Sequence, residues 1–130
     1  MMMVPCHPDK SALHGLGLFA SAPIKKGTIV WQMDRRIDIY YSAHTFETLP
    51  EGLQQFLLVY AYKIEEDGEH WYVLNGDHAR HMNHSSEPNV VTDPDNHYVN
   101  IAARDIAEGE ELLCNYHEFN LEERSMAFLK

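Results

Sequence analysis

The segment Arg80-His81-Met82-Asn83-His84-Ser85-Ser86-Glu87-Pro88-Asn89 sets the tightest limit on what this chain can fold into. It is too polar for a core helix, with an amide, an imidazole and two hydroxyls in a row. Pro88 stops any helix and pushes Glu87 towards an extended backbone. Each of these polar groups needs a partner if it is buried. The segment is therefore a solvated loop, or its side chains are aimed at a ligand or at another part of the chain.

The flanking sequence reads as short strands. Residues 1–14 look irregular. Gly15-Leu16-Gly17-Leu18-Phe19-Ala20 has the spacing of a dinucleotide fingerprint, but no apolar strand precedes it, and Pro23 and Gly27 forbid the helix that must follow. A tight turn feeding a strand over Leu18 to Ser21 fits better. Thr28 to Met33 and Ile37 to Tyr41 are β-branched and aromatic, hence strands. Leu49, Leu53, Phe56 and Leu57 recur at helical spacing after Thr48-Leu49-Pro50-Glu51, which predicts one middle helix. From Val59 the period is two, which places Tyr60 and Tyr62 on one face of a strand. Asp67-Gly68 then turns the chain into His70–Leu74, which carries Tyr72. A second hairpin joins Asn89–Thr92 to Tyr98–Arg104, and Glu111 to Tyr116 is a last strand. Asn120-Leu121-Glu122-Glu123 resembles a capping box opening a terminal helix over 120–130. The expected class is mainly β, a β-rich α+β domain.

At 130 residues the chain is one domain, 1–130, with a modest core. Its net charge of −10 argues against a nucleic-acid backbone as main partner and favours a basic one, such as a Lys/Arg-rich peptide. Cys6 and Cys114 are too few for a disulfide framework or a four-ligand zinc site, which points to a reducing, intracellular compartment. The apolar run Phe56–Tyr62 is too short for a bilayer, and Pro5, His7 and Asp9 leave no secretory core after Met1–Val4. His78, His81 and His84 invite a metal reading, but on a helix the first and third stand about 120° apart, too splayed for one ion. No metal is expected.

Three pieces now stand in order: Gly15-Leu16-Gly17-Leu18-Phe19, then Asn83-His84-Ser85-x-x-Pro88-Asn89, then Arg104-Asp105-Ile106-x-x-Gly109-Glu110-Glu111-Leu112-x-x-x-Tyr116. Together they resemble a SET domain, the protein-lysine methyltransferase family, over about Leu13 to Phe119. The resemblance implies small curved sheets, and a C-terminal pseudoknot where the Asn-His-Ser segment crosses the final one. It implies S-adenosylmethionine as cofactor, leaving as S-adenosylhomocysteine. It places the target lysine in a narrow channel entered from the opposite face. His14, Gly15, Leu16 and Gly17 would cradle the cofactor's amino-acid end. Asn83 and His84 would hold its ammonium and adenine. Tyr116 would sit in the channel as the catalytic tyrosine, and one or two of Tyr60, Tyr62 and Tyr72 would line it.

Taken singly, each residue keeps a plainer reading. The glycines could serve a turn, Asn83 and His84 could cap a loop, and the tyrosines could pack a core. Only the joint spacing favours the site. Many family members carry a cysteine where Ser86 stands, paired with later cysteines around zinc; here no cysteine follows Cys114, so no zinc is expected. Closing the channel then falls to the terminal helix or to a second subunit in a homodimer. Cys114 stands where the family has a bulky aromatic that governs methyl count, which leans towards higher methylation states. Arg80-His81-Met82 replaces the family's Arg-Phe-Ile. The expected activity is lysine methylation of a basic protein tail such as a histone. The alternative is a catalytically inert SET- or PR-like module that binds basic proteins.

Overall fold

Strands β1 (Cys6–Lys10) and β2 (Leu16–Ala20) form an antiparallel pair on either side of the glycine turn. The computed structural model describes residues 1–116, so the expected terminal helix lies outside the described residues. The β1 strand corrects the reading of residues 1–14 as irregular. Pro8 within it has no N–H to donate, but β1 has only one neighbour, and an edge tolerates the missing donor.

Two three-stranded sheets face the interior. One joins β3 (Ile29–Gln32), β9 (Asn96–Ala102) and β8 (Val90–Asp93). The other joins β4 (Ile39–Ser42), β6 (Glu69–Leu74) and β5 (Tyr62–Glu66). The β5–β6 hairpin turns through Asp67 and Gly68, both at positive φ (54° and 78°), as the Asp-Gly pair predicts for a two-residue loop. Helices α1 (Ala43–Thr48) and α2 (Glu51–Tyr60) pack on the second sheet. The sequence reading missed α1, whose first turn is capped by Ser42 Oγ accepting from Thr45 N–H at 3.0 Å. The α2 helix also runs further than predicted, and its cap residue Ala61 donates N–H to the Leu57 carbonyl. Tyr60 is therefore the last helical residue, not a strand residue paired in register with Tyr62.

The core has two parts. Leu18, Ala20, Ile24, Val30, Val90, Ile106 and Leu112 pack between the first sheets, and Leu57, Ala61 and Leu74 anchor the helices. Between them runs a short parallel ladder, β7 (Asn83–His84) against β10 (Leu113–Cys114). It is here that the resemblance expects two chain segments to cross. The polar segment turns out to be aimed at the rest of the chain. Asn89, 3% exposed, donates from Nδ2 to the Glu111 carbonyl and accepts from Leu113 N–H, both at 2.8 Å. One side chain thereby holds the backbone on either side of Leu112, replacing ladder bonds that β10 is too short to make.

Gly76 follows β6 and abuts Ile37. A Cβ there would run into the Ile37 carbonyl and side chain, and backbone cannot step aside. We expect Gly76→Ala to destabilise the fold by about 2–3 kcal/mol, read as a lowered thermal midpoint.

Candidate active site

The two sheets and the end of α2 enclose a cavity of about 330 Å³. Alternation explains its walls. Across one sheet Trp31, Asn100 and Thr92 are register partners and share a face. Across the other, Tyr40 and Tyr62 both pair with Val73 and share a face. Tyr62, Ile64 and Glu66 follow one another on the same side of β5. Tyr60, Met82, Cys114 and Tyr116 complete the inner end, so Tyr60, Tyr62, Cys114 and Tyr116, all picked from the sequence, meet here. Tyr72 does not. It pairs with Lys63 and Tyr41, one step out of phase with Tyr62, so the pleat turns it to the opposite face. There its ring stacks on Phe46, centroids 4.2 Å apart.

Tyr116 is tied at both ends. Its hydroxyl donates to the Met82 carbonyl at 2.6 Å, and its N–H donates to His84 Nδ1 at 3.1 Å. With Nδ1 accepting, a neutral His84 carries its proton on Nε2. Burial, and next the proximity of Cys114, pushes the Tyr116 phenol well above its ordinary range. Tyr62 is raised too, by burial first and then by Tyr40, Asp38 and Cys114. Tyr40 is pushed up to about 12, by burial and then by the Glu66 charge. The cavity is thus lined with neutral phenols.

Above about pH 10 the unfolded chain releases phenol protons that the folded chain keeps. The stability these buried phenols contribute is full below that pH and is lost above it, at about 1.4 kcal/mol per pH unit for each deeply buried one. The thermal midpoint should therefore fall above about pH 10, and Tyr62→Phe should flatten that fall.

The glycine turn joins the cavity through the residue next to Met82. Asn83, 6% exposed, points Nδ2 at the His14 carbonyl (3.0 Å), the Leu16 carbonyl (3.2 Å) and Glu111 Oε2 (3.0 Å). Three acceptors share two hydrogens, so the corner has acceptor capacity left over. Ser11 Oγ donates to the same Glu111 carboxylate at 2.8 Å. The two glycines serve different ends. Gly15 sits at φ 45°, which favours glycine, with open space where a Cβ would stand. Gly17 has no such φ; its missing side chain makes room for the Glu111 carboxylate. Sequence reasoning overlooked Glu111 as a site residue although it stands within the third motif. It also missed Trp31, Tyr40, Glu66 and Tyr98, which reach the cavity only through the facing of two sheets. Among the described residues no group of three His, Cys, Asp or Glu stands where it could hold a metal, and no helix is long and apolar enough to cross a membrane.

Comparison with known proteins agrees with this architecture. The SET domain family matches residues 15–117, and the chain belongs to that family. It is 30% identical over 120 residues to histone-lysine N-methyltransferase ATX2 of Arabidopsis thaliana, covering 88% of this chain and 11% of that protein. It is 31% identical over 121 residues to histone-lysine N-methyltransferase trr of Drosophila melanogaster, covering 89% of this chain and 5% of that protein. It therefore spans a small fraction of the length of these relatives. Chaetomium thermophilum Polycomb Repressive Complex 2 in an autoinhibited conformation bound to S-adenosylmethionine superposes with a TM-score of 0.62. That match is 25% identical and covers 92% of this chain and 16% of the other. The same complex bound to GSK126 gives a TM-score of 0.67 at 22% identity, covering 92% and 16%.

Proposed function

We propose that the chain is an S-adenosylmethionine-dependent protein-lysine N-methyltransferase acting on a basic protein tail such as a histone. The observation that carries this reading is the bond from the Tyr116 hydroxyl, inside the cavity, to the carbonyl of the residue preceding Asn83. It ties a phenol-lined chamber to the corner where the Asn83 amide meets the His14 and Leu16 carbonyls and the Glu111 carboxylate. The residues there suit the cofactor. The His14 and Leu16 carbonyls and the Glu111 carboxylate favour an ammonium, and the bare Gly15 backbone admits close approach. Bound there, the cofactor would supply an electrophilic methyl on a sulfonium.

The chain's own residues supply the rest. A free lysine amine has a pKa of about 10.4 and is mostly charged at neutral pH. A chamber walled by Tyr60, Tyr62, Met82 and Cys114 disfavours the ammonium and so releases the neutral nucleophile. Holding that amine on one line lowers the entropic part of the barrier. Tyr116 orients the amine and the polarised methyl through its hydroxyl. Burial keeps the phenol protonated at neutral pH and its hydrogen goes to the Met82 carbonyl, so it is cast as a positioning acceptor of an amine N–H rather than a base. The net charge of −10 suits a basic substrate. Closure of the chamber by a second copy, the reducing intracellular setting and a bias towards higher methylation from Cys114 belong to the same proposal.

Labelled-methyl transfer from S-adenosylmethionine onto histones and basic-protein peptides, with the sites mapped by mass spectrometry, tests it. Label on lysine supports the reading. Tight binding of the basic protein with no heat on titrating the cofactor would instead establish the inert module.

A further inference from the structure

Ser11 lies outside every motif read from the sequence, yet it is the hub of the turn that carries His14 and Leu16. Its N–H donates to the Gly15 carbonyl at 2.8 Å, which closes the loop between β1 and β2. Its Oγ accepts from Leu13 N–H at 3.0 Å and from His14 N–H at 3.4 Å, the local bonding that lets a serine shape a turn. Its hydroxyl hydrogen goes to the Glu111 carboxylate, 2.8 Å from one oxygen and 2.9 Å from the other. The first contacts shape the loop, and the last ties it to a segment 100 residues away.

The loop has little else to fix it. Residues 12–15 lie between the strands and are exposed, so packing does not set their backbone. Its other tether is the Asn83 amide, which donates to the His14 and Leu16 carbonyls at 3.0 and 3.2 Å. Glu111 links the two tethers, because its carboxylate accepts from Ser11 Oγ and, at 3.0 Å, from Asn83 Nδ2. Both donors are uncharged, so they hold the carboxylate in place without neutralising it. Gly17 completes the interlock. A Cβ there would run into Glu111 Oε2 and stand 3.0 Å from Ser11 Cβ, so β2 leaves the pair the space that a side chain would fill.

We propose that Ser11 is a positioning residue for the cofactor, acting through Glu111 to preset the turn whose His14 and Leu16 carbonyls face the cofactor's ammonium. Without the hydroxyl, the turn is ordered only when the ligand arrives, and that ordering is subtracted from affinity. The Glu111 carboxylate also loses a donor and is left with the Asn83 amide. This role rests on the methyltransferase reading, which is what puts an ammonium at the corner. A tether that only held the fold would weaken every ligand alike. One that aims these carbonyls weakens a ligand that presents an ammonium to them and spares one that does not.

Calorimetric titration of the whole chain with S-adenosylhomocysteine, and with the same molecule lacking its α-amino group, separates the two. Ser11→Ala should lower affinity for S-adenosylhomocysteine at least about tenfold and change that for the deaminated analogue by no more than about twofold. Glu111→Gln should also weaken S-adenosylhomocysteine, and by a smaller factor in the Ser11→Ala background than in the wild type, because the two residues act as a unit. Equal losses for both ligands would make Ser11 a structural tether and overturn the proposal. So would an unchanged affinity in Ser11→Ala, or losses from the two substitutions that simply multiply, and either result leaves the methyltransferase reading standing. No heat from S-adenosylhomocysteine with the wild type would overturn the reading and this role together.

Discussion

Tyr116→Phe is expected to lower kcat by about two to three orders of magnitude while leaving S-adenosylmethionine affinity within about threefold. The ring stays, so the wall of the cavity is kept. What goes is the hydroxyl, now donating to the Met82 carbonyl at 2.6 Å, which under the proposed function would orient the amine. One lost hydrogen bond costs about 1 kcal/mol of stability, so the fold survives and the effect is read on turnover. Steady-state kinetics beside calorimetric titration of the cofactor separate the two quantities. Turnover at the wild-type rate would remove Tyr116 from its role, and joint loss of turnover and affinity would make it a cofactor ligand instead.

Asn83 should behave differently, because it serves the fold and the cofactor corner together. Asn83→Ala removes a buried donor from two backbone carbonyls and from Glu111, at a cost of about 2–4 kcal/mol, with a thermal midpoint lower by roughly 10 °C. Cofactor affinity should fall more than tenfold, since the His14–Leu16 turn loses its tether. Asn83→Asp is the sharper probe. It is almost isosteric, yet it sets a carboxylate against the Glu111 carboxylate and two carbonyl oxygens. It should destabilise at least as much as alanine, and more at pH 8 than at pH 5, because the introduced acid is charged at the higher pH. An Asn83→Asp variant with the wild-type midpoint at both values would show that the amide is not held as described.

What could be read from the chain, and what could not, divides on the range of the interactions. The Asp67-Gly68 turn was legible because two adjacent residues determine it. The joint spacing of Gly15, Asn83 and Tyr116 was legible because each motif is local, and only their meeting is not. Tyr72 was misplaced because the two-residue Asp67-Gly68 turn sets it opposite Lys63, one step out of phase with Tyr62. A slip of one residue exchanges the two faces of a sheet. β1 was missed because the prolines near it weigh against a strand unless its edge position is known. Glu111 and Gly17 make a pair separated by most of the domain, and the purpose of the glycine is visible only once the carboxylate is seen to occupy its side-chain space. The cavity itself is a product of two sheets facing each other, which no local pattern encodes. Trp31, Glu66 and Tyr98 were therefore silent in the sequence.

Under the proposed function this chamber passes a methyl group to an uncharged lysine beneath the Tyr116 hydroxyl. A single turnover with protein, S-adenosylmethionine and a lysine peptide at equal concentrations addresses it most directly. S-adenosylhomocysteine and methyl-lysine are to be quantified together, in the wild type and in Tyr116→Phe. The two products should appear in equal amounts in the wild type and at least about a hundredfold more slowly in the variant. Cofactor bound but no methyl-lysine formed, or equal rates in both proteins, would contradict it.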